Sequence, residues 1–325
     1  MAPEPFAIDV SPDGRAIVVT HQTSNNVALF TQDWSNDRGP ELDYDLSGLG
    51  NRPVGVAALP PPASVTERLA LAGGSEQPNY GFLVTFRLAS QVSLVRYIPE
   101  SQAAPLRPYL APAGVAPILA SSNGEDSRGI AVDDSARRAA EARCFADFGA
   151  GCEGDGADSR AQRASLLECL DEAAAYGLDV YVAGRSPETL LIGRTIPEVN
   201  ALSSAELPTF YDSVSLPLGV SRVVVGSVIG GEDSSGLVRE RRVFVVCFDS
   251  RRVIVYDPLR RTIDIELVTG RGPHPLAIDE QHGLLFVGHF TDSYVGVMSL
   301  DRRFPRTYGT MVGTIGSPTP PRASK

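Results

Sequence analysis

The chain has 325 residues, a formal charge of −10 at pH 7 and a pI near 5.0, with 43% hydrophobic and 21% charged residues. That acidity excludes the broad basic patches through which nucleic acid or an anionic membrane surface is held, so no nucleic-acid partner is expected. Lys325 is the only lysine, which excludes a Schiff-base or phosphate-loop lysine inside the fold, and there is no apolar run of about eighteen residues to supply a transmembrane helix.

From the N-terminus, Pro5 to Asp9 leads into a Ser-Pro-Asp-Gly turn at residues 11 to 14, then Ile17 to Thr20, a polar turn over 22 to 26, Val27 to Phe30, and a further strand around Leu42 to Leu46. Proline presets φ and glycine accepts positive φ, so this stretch reads as short strands joined by tight turns. A second unit opens at Pro53 to Val56, crosses a Pro-rich turn, and continues through Leu69 to Ala72, Phe82 to Phe86 and Val92 to Ile98. The segment 100 to 123 is rich in Pro, Ala and Ser without alternation and reads as a long surface connection.

A third unit opens at Gly129 to Asp133, but its next strand, Asp179 to Ala183, follows only after an insertion spanning 134–178. The insertion holds three of the four cysteines and predicts a helix from Ser159 to Ala174, capped by Asp158, with Ala161, Ala164, Leu167 and Leu170 on one face. This unit finishes with Leu190 to Ile192 and Phe210 to Val214. The fourth unit takes Val220 to Val228, a loop over 230 to 239, Val243 to Val246, Val253 to Tyr256 and Ile263 to Val268. The fifth takes Leu276 to Ile278, Leu284 to Val287, Tyr294 to Met298 and Thr310 to Ile315.

A single meander cannot bury both of its faces, and stacking sheet on sheet solves that problem. The expected fold is therefore all-β: one β-propeller domain, 1–325, of four-stranded antiparallel blades, with a helical cysteine-bearing insertion in blade three. Aligning the ends of the second strands puts His21, Gly73, Gly184, Cys247 and His289 in one column. Five units are read. They form either a five-bladed ring or part of a larger one, and the larger ring is favoured because the chain starts at an innermost strand with no spare outer strand.

In such a blade, the loop entering the first strand and the loop leaving the second lie on one face. His21, His274 and His289 should share that face, where the central channel opens, and His282 should lie on the other. Glu4, Arg52, Arg128, Leu218 and His274 lead into the five first strands. Arg52 and Arg128 could together hold a carboxylate or phosphate at an anion-accepting mouth. The plainer alternative pairs them with neighbouring acids such as Glu125 and Asp126.

His21 and His289 are of a type that suits zinc, but no third ligand accompanies them. Hydrogen bonding of each to its own turn is expected instead, with no metal and no cofactor. Cys144, Cys152 and Cys169 offer one disulfide, Cys144 to Cys152 or Cys152 to Cys169, provided the compartment is oxidising. Cys247, in the apolar run Phe244 to Phe248, reads as a buried strand residue. The run Cys152 to Ser159 lacks the spacing of a calcium loop. No nucleophile elbow, His-Glu-x-x-His or Gly-rich phosphate loop is present.

The patterns Pro5-Phe-Ala-Ile-Asp-Val-Ser-Pro-Asp-Gly14, Val18-Val-Thr-His21, Tyr181-Val-Ala-Gly184, Phe286-Val-Gly-His289 and Gly270-Arg-Gly-Pro-His-Pro-Leu-Ala-Ile-Asp279 resemble the YVTN-type β-propeller repeats. The resemblance implies a propeller, often seven-bladed and often exported or surface-linked, hence a periplasmic, cell-surface or secreted protein. Met1-Ala-Pro-Glu-Pro does not itself begin a signal peptide. The resemblance implies no common activity. The expected function is a non-catalytic binding or scaffold module that accepts a protein or small anionic partner at one face. A lactonase-like hydrolase is the alternative, since some propellers related to this repeat open cyclic esters.

Overall fold

The computed structural model describes residues 4–34, 39–71, 79–100, 107–118, 126–150, 152, 156–196, 207–234 and 236–316. Alternation and turn chemistry produce the expected meanders. Blade one holds β1 (Pro5–Val10), β2 (Ala16–His21), β3 (Asn26–Thr31) and β4 (Glu41–Ser47), hydrogen-bonded in chain order. Blade two holds β5 (Pro53–Leu59), then α1 (Ala63–Leu71), β6 (Gly81–Phe86), β7 (Gln91–Ile98) and β8 (Tyr109–Pro117). The third sheet follows β9 (Ser127–Asp133) with α2 (Ser135–Phe148), α3 (Ala157–Ala174), β10 (Leu178–Arg185), β11 (Glu188–Thr195) and β12 (Thr209–Ser215). Blade four is β13 (Val220–Asp233), β14 (Gly236–Cys247), β15 (Arg252–Asp257) and β16 (Thr262–Val268). Blade five is β17 (Pro273–Asp279), β18 (Leu284–His289), β19 (Tyr294–Ser299) and β20 (Met311–Ile315). The fold is a β-propeller of four-stranded antiparallel blades.

Packing divides the chain into two compact units: Met1–Tyr181 with Ile192–Asp212, and Val182–Leu191 with Ser213–Lys325. In the first unit, Val18, Leu29, Phe82, Val84, Phe86 and Val95 join blades one and two in one fully buried cluster. β6 is buried on both faces, so Phe82, Leu83 and Val84 read as an apolar run rather than an alternation. β5 packs on β9 so closely that a Cβ at Gly55 would lie 3.3 Å from the Arg128 carbonyl oxygen, besides 2.3 Å from Thr85 Oγ1 of the neighbouring β6.

Blade two differs from the sequence reading in two places. Leu69 is in α1, not in a strand, because Val65 and Leu69, four residues apart, bury one helical face just after Pro60 to Pro62. Ala72 and Gly73 lie outside the described residues. The second strand is therefore β6, and Phe86, paired with Pro53 as His21 is with Pro5, takes the column place assigned to Gly73. The stretch read as a connection contains β8, an outer edge strand. Pro112, Gly114 and Pro117 hide it from any periodicity argument, since an edge strand tolerates proline and a bulge.

The insertion is a pair of packed helices, and the sequence disclosed only the second. α3 begins at Ala157 with Gly156 as N-cap, so Asp158 lies in its first turn rather than at the cap. Cys144, Leu166, Leu170 and Ala173 form the shared core. Cys144 bonds to Cys169, with their Cα atoms 5.7 Å apart, which corrects both expected pairings. Helix packing brings α2 and α3 face to face, whereas Cys152 sits in the connection with its thiol on the Phe148 carbonyl at 3.1 Å. Arg137, 1% exposed, donates to the carbonyls of Pro60 (2.8 Å) and Pro61 (3.3 Å), and Glu141 beside it accepts from the Ala63 amide at 2.9 Å.

In the second unit, Val228, Phe244, Val246, Val255, Leu285 and Val287 are fully buried in one cluster joining blades four and five. The β13–β14 hairpin runs past its blade. The Ile229 amide donates to the Leu300 carbonyl (3.0 Å) and the Arg302 amide donates to the Ile229 carbonyl (2.9 Å). Buried Arg242 stands among Glu240 (2.5 Å), Asp264 (3.0 Å) and Asp257 (3.1 Å), and Arg302 joins through Glu240 and Asp264.

Candidate functional site

Blade five carries a cleft at the end of its first two strands. Pro273 pairs with His289, and the register then slips before Leu276 meets Val287, so His274 and Pro275 form a bulge. Bulges re-aim side chains at strand ends. Here His274, Pro275, His289, Phe290, Tyr294 and Ile315 line a cavity of 450 Å³. Phe290 is 82% exposed, which makes it an open aromatic wall.

His289 is fixed from two sides. Its Nε2 accepts the Gly270 amide at 3.0 Å, and its ring stacks on Tyr294 with centroids 4.1 Å apart and planes 7° from parallel. Because Nε2 accepts, the proton of the neutral ring is on Nδ1. Burial lowers the pKa below the usual histidine value, with nearby Asp292 pulling the other way, so the imidazole is neutral near pH 7. The loop beneath it is equally determined. A Cβ at Gly270 would lie 2.1 Å from Tyr294 Oη, and Arg271 binds Asp292 through Nε (2.9 Å) and its terminal nitrogen (2.6 Å). That contact holds the Asp292 carboxyl below its ordinary range.

His282 pairs with Asp279 at 2.7 Å in the β17–β18 turn, at the opposite end of that hairpin from His289. This matches the sorting of blade-five histidines expected from strand direction.

In the first unit, His21 is 8% exposed and its backbone carbonyl accepts the Asn25 amide at 3.0 Å, closing the β2–β3 turn. The His289 carbonyl does the same for Ser293 at 2.8 Å. Arg128 lies within β9 and is 9% exposed, its guanidinium on Asp126 at 2.5 and 2.8 Å, with Arg87 4.0 Å from the same carboxylate. Asp126 is one of the two acids named from the sequence; Glu125 lies outside the described residues. Arg52 lines a separate cavity of 590 Å³ with Gln22, Thr23, Asn25, Asn51 and Leu88.

The column that placed Arg52 and His274 at equivalent positions needs correction. Registers equate Pro53 with Pro273, so Gly272 is the counterpart of Arg52, and His274 is the counterpart of Val54. Thus His274 and His289 share one cavity, Arg52 lines another, and His21 and Arg128 line neither. Sequence reasoning missed Phe290 and Tyr294. The spacing His289-Phe290 and Tyr294 across a tight turn was the available signal. Among the described residues, no group of three or more His, Cys, Asp or Glu side chains is arranged to hold a metal ion, and no helix is long and apolar enough to cross a membrane.

No protein-family model matches the chain, and no curated protein matches it. Solved structures do match. One is a proposed 6-phosphogluconolactonase of Bacteroides uniformis, 12% identical over 83% of this chain and 56% of that one, with a TM-score of 0.46. A second, from Bacteroides fragilis and given the same proposed activity, is 9% identical over 83% and 56%, with a TM-score of 0.44. A third, a protein from Lactobacillus plantarum, is 12% identical over 93% of this chain and 66% of that one, with a TM-score of 0.50. The chain thus spans between 56% and 66% of the length of these structures. What the Lactobacillus plantarum structure shares with it is the fold.

Proposed function

We propose that the protein is a lactonase-like hydrolase of small cyclic esters, with the blade-five cavity as its site. The observation that carries this reading is the pair His274 and His289 on one 450 Å³ cavity with aromatic walls, a size suited to a small ring. His274, half-buried at the bulge, takes the proton of a water whose oxygen attacks the ester carbonyl carbon. The ring carbon–oxygen bond then breaks, and the leaving alkoxide recovers the proton from His274, giving an open hydroxy acid. His289 positions the wall against which the ring lies. This is the reaction class proposed for the two Bacteroides proteins, but the cavity and not that likeness supports it.

A non-catalytic binding module is the second reading. It is favoured by His289 being committed to the Gly270 amide and the Tyr294 ring, as a purely architectural histidine would be. A panel of five- and six-membered lactones followed by acid release separates the two. Hydrolysis is expected, falling about 10²-fold or more in His274→Gln. No turnover above buffer, with lactone still bound, would establish the binding module; turnover unchanged in His274→Gln would remove the site. The Cys144–Cys169 bond supports an exported protein, since such bonds persist in oxidising compartments.

A further inference from the structure

Three blades share a detail at the entry to their first strand. Arg52, Gly219 and Gly272 each precede the first paired residue and have left-handed backbones, with φ of 60°, 86° and 68°. Each carbonyl accepts the amide of the residue that follows the second strand: Arg87 (2.9 Å), Phe248 (2.8 Å) and Phe290 (2.8 Å). Glycine is the natural occupant of such a position, because a side chain there costs backbone strain. Blades four and five also need it for space. A Cβ would lie 2.3 Å from the Asp249 amide nitrogen at Gly219, and 2.3 Å from Thr291 Oγ1 at Gly272.

Blade two places an arginine in this position and opens the loop around it. Asn25, itself at φ 60°, accepts the Arg52 amide on its Oδ1 at 2.6 Å, which holds the strained residue against blade one. The space so opened is the 590 Å³ cavity lined by Gln22, Thr23, Asn25, Asn51, Arg52 and Leu88. Its chemistry is specific: one guanidinium, amides and a hydroxyl that exchange hydrogen bonds with alcohols, and one leucine to lie under a ring face. Glu4 stands at the rim, accepting from Thr23 Oγ1 at 3.4 Å, and is an acceptor for a further hydroxyl.

We infer that this cavity binds a small polyhydroxylated carboxylate, a sugar acid, with Arg52 gripping the carboxylate. The left-handed arginine is the argument. Arg251 and Arg261 share this backbone in hairpin turns, with φ of 56° each, but Arg52 alone of the three lines this cavity, and a strained residue on a cavity wall is a common mark of a ligand clamp. A planar guanidinium takes a carboxylate through two parallel hydrogen bonds, while Gln22, Asn25 and Asn51 take hydroxyls.

The test sets binding against stability in the same variant. Calorimetric titration with D-galacturonate, methyl galactoside and acetate on the whole chain is expected to show binding of the first, with the neutral sugar and the bare anion at least about tenfold weaker. Arg52→Gly should weaken galacturonate at least about tenfold yet unfold, without ligand, about 1–3 °C higher. Three results overturn the inference: no sugar acid binding, equal binding in Arg52→Gly, or a lower melting temperature in Arg52→Gly. None of them bears on lactone hydrolysis at blade five, because His274 and His289 are untouched.

Discussion

His289 concentrates the demands that a single side chain can meet at once. It closes a turn through its carbonyl, accepts an amide through Nε2, stacks on Tyr294 and walls a cavity. Burial lowers its pKa from 6.5, so the unfolded chain binds the proton more readily than the folded one. Its contribution to stability is therefore complete above about pH 6.5 and is lost as pH falls from there towards the folded value. Melting curves between pH 8 and 5 are expected to show a fall that flattens in His289→Gln; an identical profile in the variant would contradict the neutral buried ring. Asp264 acts lower on the scale. Its burial is outweighed by Arg242 and Arg302, its pKa lies below 3.8, and its stabilisation persists until pH falls through that depressed value. The histidine was singled out by its sequence position, but its partners were not, since the Gly270 amide reaches it across a loop.

At the scale of elements, the helical insertion and the long hairpin of blade four make opposite uses of charge and covalency. Cys144 and Cys169 close a loop of 25 residues between α2 and α3, worth about 3 kcal/mol through restriction of the unfolded chain. Cys169→Ala is expected to lose about that much and to open the insertion to limited proteolysis, whereas Cys152→Ser should stay within about 0.5 kcal/mol. Mapping Cys152 into a disulfide in place of Cys169 would contradict the helix pairing. The β13–β14 extension combines the backbone hydrogen bonds of Ile229 with a cluster of charges. Arg242→Ala leaves Asp257, Asp264 and Glu240 facing one another without their shared cation, and should cost about 3–5 kcal/mol in denaturant unfolding. A loss below about 1 kcal/mol would show that Arg302 alone suffices.

For the molecule as a whole, the meander, its repetition and the propeller class are legible in the sequence. Alternating apolar residues, Ser11-Pro12-Asp13-Gly14 and His282-Gly283 act within a few residues of themselves, so local chemistry determines them. Only tertiary structure decided the rest. It moved blade two's second strand to β6, revealed α2 and β8, chose Cys169 over Cys152, paired Arg128 with Asp126 and set His274 on a bulge. Packing made the first three choices: a helix face, an edge strand and a cysteine pair are selected by what lies opposite them in space. Register made the last, because a slip of one strand against its neighbour leaves no trace in the order of residues along either.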